Sequence, residues 1–277
     1  MTYRVALIQT RTPASHAAAL DHIAPLVREA AAQGAQLIAT PEGSNILQKD
    51  KAKLLPQLVL LADDPVVRGL QALAEELGVW LLVGSALVKR EDGKAANRCA
   101  LISPAGEIVA TYDKLHMFDV DLPTGETARE SETYEPGDRA VTVDLGEAKL
   151  GLTICYDVRF PALHRALALA GAQVITVPAA FTRPTGAAHW EILLRARAIE
   201  TGSFVLAPAQ GGFHEDGRGT YGHTIAIAPW GEVLGELAHD EPGVLVVDLD
   251  LAAVGKARAA IPALANARAF AAPETVA

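Results

Sequence analysis

The stretch KLGLTICYDVRFPALHRALALAG, residues 149–171, predicts a strand that leads directly into a helix. Its run 150–154 is apolar and short enough for a buried strand, whereas Pro161 favours a helix start and Gly171 a helix end. Cys155 stands at the turn between the two elements. A thiol in this place faces backbone N–H groups and a helix dipole, which favour the thiolate and predict a lowered pKa.

The residues next to Cys155 help to decide whether it is a reactive thiol or a core cysteine. A lone cysteine in an apolar strand is most often a small buried core residue. Here Tyr156, Asp157 and Arg159 are polar or charged where a core strand would stay apolar. We therefore interpret Cys155 as a candidate nucleophile, and expect a salt bridge between Asp157 and Arg159 to fix the turn. Cys99, in the apolar run RCALIS, is expected to be a core residue.

Two further predicted strands end in ionisable side chains. GAQLIATPEGSN, residues 34–45, places Glu42 after a short apolar strand, and IVATYDKLHMFD, residues 108–119, places Lys114 after another. Either residue alone is most simply a solvated loop charge. Three strand ends that carry Glu, Lys and Cys together indicate a catalytic site.

Strands and helices alternate along the chain. The predicted strands are 3–9, 36–40, three within 79–112, 173–177, 203–207, the hairpin 224–228 with 233–237, and 244–249. The predicted helices are 15–33, 65–77, 187–200 and 252–260. In helix 187–200 the spacing of Ile192, Leu193, Ala196 and Ile199 predicts that they face the core. This order favours an α/β protein with two stacked sheets and helices on their outer faces. We expect one domain over residues 1–270 and a tail at 271–277.

Composition and charge narrow the class of protein. The 277 residues are 50% hydrophobic, and the net charge of −9 disfavours nucleic acid or an anionic membrane as a partner. No apolar run reaches the length of a membrane span, and MTYRVALIQT is interpreted as a first strand and not a signal peptide. Two cysteines provide neither a disulfide framework nor a zinc spacing, which suits a reducing cytoplasm. The histidines fall singly, so no metal site is expected. No other cofactor is expected.

Several motifs in order resemble the carbon–nitrogen hydrolase (nitrilase) superfamily, over residues 5–268. They are PEGSN, YDKLHMFDVDLP, ARESETYEPGD, GLTICYDVRFP, GAAHWEILLRARAIET and YGHTIAIAPWGEV. The resemblance implies a four-layer αββα sandwich whose subunits pair through helices into a homodimer or higher homo-oligomer. Within the superfamily the chain is most similar to the Nit branch, and closer to deaminated-glutathione amidases than to omega-amidases.

The resemblance also implies a catalytic set of Glu42, Lys114 and Cys155, supported by Glu130. Three other glutamates, Glu126, Glu132 and Glu135, lie near Glu130 in sequence. The implied reaction is hydrolysis of an amide through a cysteine thioester, with release of ammonia.

Each residue type has a role in that chemistry. Glu42 would take the thiol proton and later activate water, which predicts a partly buried carboxyl group with a raised pKa. Lys114 would hold the oxyanion together with a backbone N–H near Tyr156. A lysine between two carboxylates stays charged, so Glu130 is expected to orient Lys114 and balance its charge.

Substrate contacts are expected mainly from the loop QGGFHEDGRGTYGH, residues 210–223. Its glycines permit unusual backbone angles, and His214 and Arg218 supply charge. Arg183 is a further cation suited to an acidic substrate, and Tyr156 is a further candidate contact. For His214, Arg218 and Arg183, a position in a solvated surface loop is an equally good explanation.

Two other classes of protein stay open at this point. A Cys–His enzyme of the class I glutaminase kind would need a histidine such as His189 or His223 in place of Lys114. A non-enzymatic binding module on the same fold is the other alternative. Within the thiol-hydrolase hypothesis, nitriles, N-carbamoyl compounds and omega-amides of 2-oxo acids are alternative substrates for the same residues.

Overall fold

The computed structural model describes residues 2–123, 125 and 127–275 of the chain. Its strands are β1 Thr2–Gln9, β2 Leu37–Ala39, β3 Trp80–Lys89, β4 Ala95–Ile102, β5 Ile108–Asp113, β6 Asp119–Asp121, β7 Thr127–Arg129, β8 Val141–Asp144, β9 Lys149–Leu152, β10 Val174–Thr176, β11 Phe204–Ala207, β12 Gly211–Phe213, β13 Gly219–Tyr221, β14 Ile225–Ile227, β15 Val233–Glu236 and β16 Gly243–Asp250. Its α-helices are α1 His16–Ala32, α2 Lys51–Leu54, α3 Pro65–Leu77, α4 Pro161–Leu169, α5 Arg183–Thr201, α6 Ala252–Ala260 and α7 Ala263–Asn266.

The strands form two main sheets of the same design. The first has the order β16-β1-β2-β3-β4-β5 and the second the order β15-β14-β11-β10-β9-β8. In each sheet three central strands run parallel, namely β1, β2 and β3 in the first and β9, β10 and β11 in the second. The flanking strands pair with them in antiparallel fashion.

Alternating side chains assign the two faces of each sheet. Along β1, Val5 and Leu7 join one hydrophobic core, whereas Ala6 and Ile8 join another. The core of Val5 and Leu7 also contains residues of the second sheet, so it lies between the sheets. The other core includes the buried faces of α1 and α3. Because α4 and α5 contact the second sheet, the layers are αββα, which confirms the expected fold.

Helix α5 departs from the sequence-based prediction in two respects. It begins at Arg183 and not at residue 187, because Pro184 opens its first turn. The prediction that Ile192 and Ile199 face the core was also wrong, since these side chains are 71% and 55% exposed. Leu194 and Ala198 are the buried apolar residues of that stretch.

The C-terminal region contains one element that was not predicted from the sequence. This element is the short helix α7, which follows α6. Residues 271–275 have no regular secondary structure, and residues 276–277 of the expected tail lie outside the described residues. Within the described part of the chain, no helix has the length and apolar character needed to cross a membrane.

Gly84 of β3 allows the two sheets to approach each other closely near the carboxyl ends of their parallel strands. A Cβ at this position would lie 1.9 Å from the Thr40 carbonyl oxygen and 2.5 Å from the Pro178 Cβ. Those two residues belong to the segments that follow β2 and β10. A side chain at residue 84 would therefore push the segment that carries Glu42 away from the segment that contacts Cys155.

Candidate active site

Cys155 occupies the turn that the sequence predicted, and its backbone there is unusual. The residue has a φ of +49°, a left-handed conformation that non-glycine residues rarely adopt. A short 3-10 helix, Cys155–Arg159, starts at this point, and α4 follows at Pro161. The Cys155 N–H donates to the Pro178 carbonyl at 2.8 Å. The turn therefore fixes the direction of the Cys155 side chain through a strained backbone and a hydrogen bond to the β10 segment.

The prediction of a lowered Cys155 pKa was wrong. Burial of the side chain and the neighbouring Glu42 carboxylate raise the pKa of the Cys155 thiol well above its usual value. Lys114 and the Ala180 N–H favour the thiolate but do not outweigh those two effects. The resting residue is therefore a thiol, and its attack requires a base.

Lys114 lies between two carboxylates, as the family resemblance implied. Its Nζ is 3.0 Å from Glu42 Oε1 and 2.9 and 2.8 Å from the two carboxylate oxygens of Glu130. The lysine is only 2% exposed, and burial alone would lower its pKa. The charges of Glu130 and Glu42 outweigh burial and raise the Lys114 pKa well above its usual value. Lys114 therefore stays charged.

Glu42 is held in its ionised form by its neighbours. Burial acts to raise its pKa, but the Lys114 charge and hydrogen bonds, including that from Asn97, lower it below the usual value. The Asn97 amide donates to Glu42 Oε1 at 2.8 Å, and the Ala180 N–H donates to Oε2 at 2.9 Å. The prediction of a raised Glu42 pKa was therefore wrong, because it included burial and not these donors.

Asn97 was missed by the sequence-based reasoning. Besides Glu42, its amide reaches Glu130 Oε1 at 3.2 Å, so it bridges the two acids that flank Lys114. Asn97 lies in β4, where most neighbouring side chains are buried and apolar. A polar amide in such a strand is the signal that identifies it.

Among the described glutamates of its group, Glu130 is the one that contacts Lys114. Its carboxylate also accepts the Phe118 backbone N–H at 2.7 Å. Glu132 pairs with Lys51 and Glu135 with Lys94, away from Lys114. Glu126 lies outside the described residues.

Asp157 stabilises the turn, but not through Arg159. Its buried carboxylate accepts the Ile154 N–H at 2.9 Å, the Tyr112 hydroxyl at 2.6 Å and the His116 N–H at 3.1 Å. These bonds join the Cys155 turn to the segment that carries Lys114. The predicted salt bridge was wrong, because the Arg159 guanidinium lies over aromatic rings, 5.4 Å from the Phe181 centroid.

A cavity of about 320 Å³ opens onto these side chains. Glu42, Lys114, Glu130 and Cys155 all contribute to its wall, together with Tyr156. The other lining residues are Gly43, Leu47, Gln48, Lys49, Lys51, Leu54, Leu87, Asn97, Phe118, Thr127, Ala128, Arg129, Thr133, Tyr134, Ala180, Phe181, Thr182, Thr185 and Arg218.

Of the three cations expected to contact the substrate, Arg218 alone lines this cavity among the described residues. Arg183 instead pairs with Asp240 at the surface. His214 is buried against the Thr220 hydroxyl at 2.7 Å, and burial lowers its pKa to about 4. His214 is therefore neutral at pH 7 and does not supply charge to the cavity.

Three other cations of the cavity wall were not anticipated from the sequence. They are Lys49, Lys51 and Arg129. In sequence they resemble ordinary solvated loop charges, so only the three-dimensional arrangement distinguishes them.

Comparisons with known proteins place this site in a family. The family model described as carbon–nitrogen hydrolase matches residues 4–259, and the chain belongs to that family. It is therefore a hydrolase that acts on carbon–nitrogen bonds other than peptide bonds.

Within the family, the chain is similar to several deaminated glutathione amidases. That of Yersinia enterocolitica is 41% identical over 238 residues, covering 85% of this chain and 82% of the relative. That of Homo sapiens is 39% identical over 250 residues, covering 88% and 76%. The omega-amidase of Homo sapiens is 34% identical over 267 residues, covering 96% and 95%.

Solved structures agree with this placement. The C. elegans NitFhit protein superposes with a TM-score of 0.89 at 31% identity, covering 96% of this chain. The present chain spans 65% of that protein's length. A mutant amidase from Nesterenkonia sp. AN1, with a covalent adduct at its active-site cysteine, gives a TM-score of 0.79 at 30% identity, covering 96% of this chain and 94% of that one.

Proposed function

We propose that the chain hydrolyses the amide bond of deaminated glutathione through a thioester on Cys155. The observation that carries this proposal is the grouping of Glu42, Lys114 and Glu130 beside the thiol in one cavity. The names of the relatives at 39–41% identity supply the substrate.

Acylation begins with the resting pair of a thiol and an ionised Glu42. Glu42 takes the thiol proton while the Cys155 sulfur attacks the amide carbon. The carbonyl oxygen gains the negative charge and is stabilised by the Lys114 ammonium and the Tyr156 backbone N–H, a first-turn donor without a helical partner. Glu42 then passes its proton to the amide nitrogen, the C–N bond breaks, and an amine leaves the acyl-enzyme.

Deacylation repeats the same proton path with water. Glu42 takes a proton from water, and the resulting hydroxide attacks the thioester carbon. The C–S bond breaks, the sulfur regains a proton from Glu42, and the acid product departs. Lys114 stays charged and paired with Glu130, so the oxyanion site keeps its positive charge through both steps.

The leaving group corrects the expectation of ammonia release. In deaminated glutathione the scissile nitrogen belongs to the cysteine of the dipeptide, so hydrolysis yields 2-oxoglutarate and cysteinylglycine. Ammonia is the product only from an unsubstituted amide such as 2-oxoglutaramate. An assay for this chain therefore needs to measure both the dipeptide amine and ammonia.

Omega-amidase activity on 2-oxoglutaramate is the second candidate, because the human omega-amidase is 34% identical over nearly its whole length. The test measures kcat/KM for deaminated glutathione, 2-oxoglutaramate, an N-carbamoyl amino acid and a simple nitrile. We expect deaminated glutathione to exceed each of the others by about tenfold or more. A preference for 2-oxoglutaramate would make that compound the substrate in place of deaminated glutathione. A preference for the nitrile or the carbamoyl compound would reject the Nit assignment.

A Cys–His mechanism has less support. Among the described residues that line the cavity there is no histidine. His223 pairs with Glu236, and the His189 ring lies 3.3 Å from the Arg159 guanidinium. Neither histidine contacts the Cys155 thiol.

We further propose a single hydrolase domain over residues 1–270 that pairs as a homodimer, in a reducing cytoplasm that keeps Cys155 free. Pairing is supported by large apolar side chains exposed on α5 and near it. They are Ile192, Ile199, Trp230 and Ile261, each more than half exposed. Ile199, Trp230 and Ile261 line one surface cavity, and exposed apolar side chains grouped in this way mark protein contacts.

A further inference from the structure

The floor of the cavity carries an excess of negative charge. Glu42 and Glu130 are both paired with a single cation, Lys114. A substrate carboxylate placed beside them would add a further negative charge in a poorly solvated site, which is unfavourable. The floor therefore suits the neutral amide, and any carboxylate of the substrate must lie further out.

The rim of the cavity has the opposite sign. Three of its four cations are compensated by acids: Lys51 by Glu132 at 2.7 Å, Arg129 by Asp121 at 2.7 Å, and Arg218 by Asp216 at 3.0 Å. Lys49 is exposed and forms no salt bridge within residues 2–123, 125 and 127–275. It is therefore the rim cation whose charge is available to a ligand.

The structure fixes Lys49 beside Arg218. The Lys49 backbone N–H donates to Asp216 Oδ2 at 2.8 Å. Asp216 Oδ2 also accepts a hydrogen bond from the Arg218 side-chain Nε–H. Asp216 Oδ1 accepts the Arg218 backbone N–H at 2.9 Å. The Lys49 ammonium lies next to Gly217, at 3.6 Å from the position a Cβ would take there. Asp216 thus holds two cavity-lining cations on one side of the opening.

We propose that Lys49 determines specificity by binding a carboxylate on the leaving group of the substrate. This inference rests on the proposed function. A rim cation is reached by the carboxylate furthest from the scissile carbonyl, which in deaminated glutathione is that of the terminal glycine. The unsubstituted amide 2-oxoglutaramate has no such group. Lys49 therefore favours peptide-like amides over primary omega-amides.

Lys49→Gln tests this role, because glutamine keeps polarity and approximate length but removes the charge. We expect kcat/KM for deaminated glutathione to fall about fivefold through KM, as for a partly exposed ion pair, with kcat unchanged. With 2-oxoglutaramate the variant should match the wild type. A substrate analogue whose terminal glycine is amidated should have a kcat/KM with the wild type that is lower by the same factor. With this analogue, Lys49→Gln should not lower kcat/KM any further.

The matched control is Lys53→Gln, since Lys53 is 70% exposed nearby and does not line the cavity. It should leave both substrates unaffected. Equal losses for both substrates in Lys49→Gln, or no loss for either, would overturn the assignment of Lys49 while the amidase proposal stands. A wild type that cleaves 2-oxoglutaramate but not deaminated glutathione would overturn both the proposed substrate and this role.

Discussion

Lys114 combines nearly complete burial with a retained charge, and this makes its replacement informative. Lys114→Arg preserves the charge, but the planar guanidinium cannot occupy the compact position between Glu42 and Glu130. We expect kcat to fall about a hundredfold to a thousandfold, close to the loss in Lys114→Ala. A discontinuous assay of amide hydrolysis measures kcat, and circular dichroism is the control for folding. Near-normal turnover in Lys114→Arg would reject Lys114 as the oxyanion ligand.

Glu42 gives a second prediction, which concerns pH. Because Lys114 and Asn97 lower the Glu42 pKa, the base stays ionised as the pH falls through the mildly acidic range. The acid limb of kcat/KM should therefore lie below the ordinary glutamate pKa of about 4.3, provided that the fold is intact. Glu42→Gln should slow acylation by a factor on the order of a hundred or more at every pH. An acid limb near neutrality would contradict this assignment of the base.

The same residues show how far sequence reasoning reached at this scale. Glu42, Lys114 and Cys155 were singled out because each follows an apolar strand, and the family resemblance joined them into one catalytic set. Their strands belong to different sheets, since β2 and β5 are in the first and β9 is in the second. The pKa directions of Glu42 and Cys155 were predicted wrongly, since they depend on Asn97, Ala180 and burial, which come from distant parts of the chain.

At the scale of elements, Asp64 is expected to stabilise the start of α3. Its buried side chain accepts the backbone N–H groups of Val66 and Val67, each at 3.0 Å, and the Asn45 amide at 2.7 Å. Asp64→Ala should lower the free energy of unfolding by about 2–3 kcal/mol, measured by urea denaturation. Asp64→Asn should lose less, because its amide oxygen still caps the helix.

The exposed neighbour Asp63 supplies the control, and Asp63→Ala should change stability by less than about 0.5 kcal/mol. The pH dependence has a definite sign. Burial acts to raise the Asp64 pKa, but the His16 ring nitrogen 3.2 Å from the carboxylate and the hydrogen bond from the Val67 N–H lower it. Its contribution is therefore present above the unfolded pKa and is lost as the pH falls through the folded value. Equal stability of Asp63→Ala and Asp64→Ala would contradict the capping role.

Elements with clear boundary residues were predicted well. Helix α3 runs over Pro65–Leu77 as expected, with Asp64 before it and Gly78 in a left-handed conformation after it. Helix α5 was started four residues too late, although Pro184 marks its first turn. The outward orientation of Ile192 was not predictable from spacing alone, because its helix has apolar residues on more than one face.

At the scale of the whole molecule, the exposed apolar side chains predict self-association. We expect light scattering after size exclusion to give at least twice the chain mass of 29.1 kDa. Ile199→Asp should shift the distribution of oligomeric states toward the monomer. The control is a charged residue in place of exposed Leu169, which lies on α4 outside this group. A monomeric wild type at micromolar concentration would reject the homodimer.

The overall architecture was predictable only in part. The order of strands and helices indicated two stacked sheets with helices on their outer faces, and the family resemblance implied four αββα layers. The order of the strands within each sheet came only from the structure. Pairing β1 with β16 joins residues more than two hundred positions apart. Local patterns carry no information about such distant partners, so this register required the structure.

The most direct test of the central claim compares Cys155→Ala with Cys99→Ala. Both substitutions remove one buried thiol, but Cys99 belongs to the hydrophobic core and does not line the cavity. With deaminated glutathione as substrate, Cys155→Ala should release no cysteinylglycine and form no acyl adduct detectable by mass spectrometry, while it stays folded. Cys99→Ala should keep its turnover and lose about 1 kcal/mol of stability. Dipeptide release by Cys155→Ala at the wild-type rate would contradict the thioester mechanism.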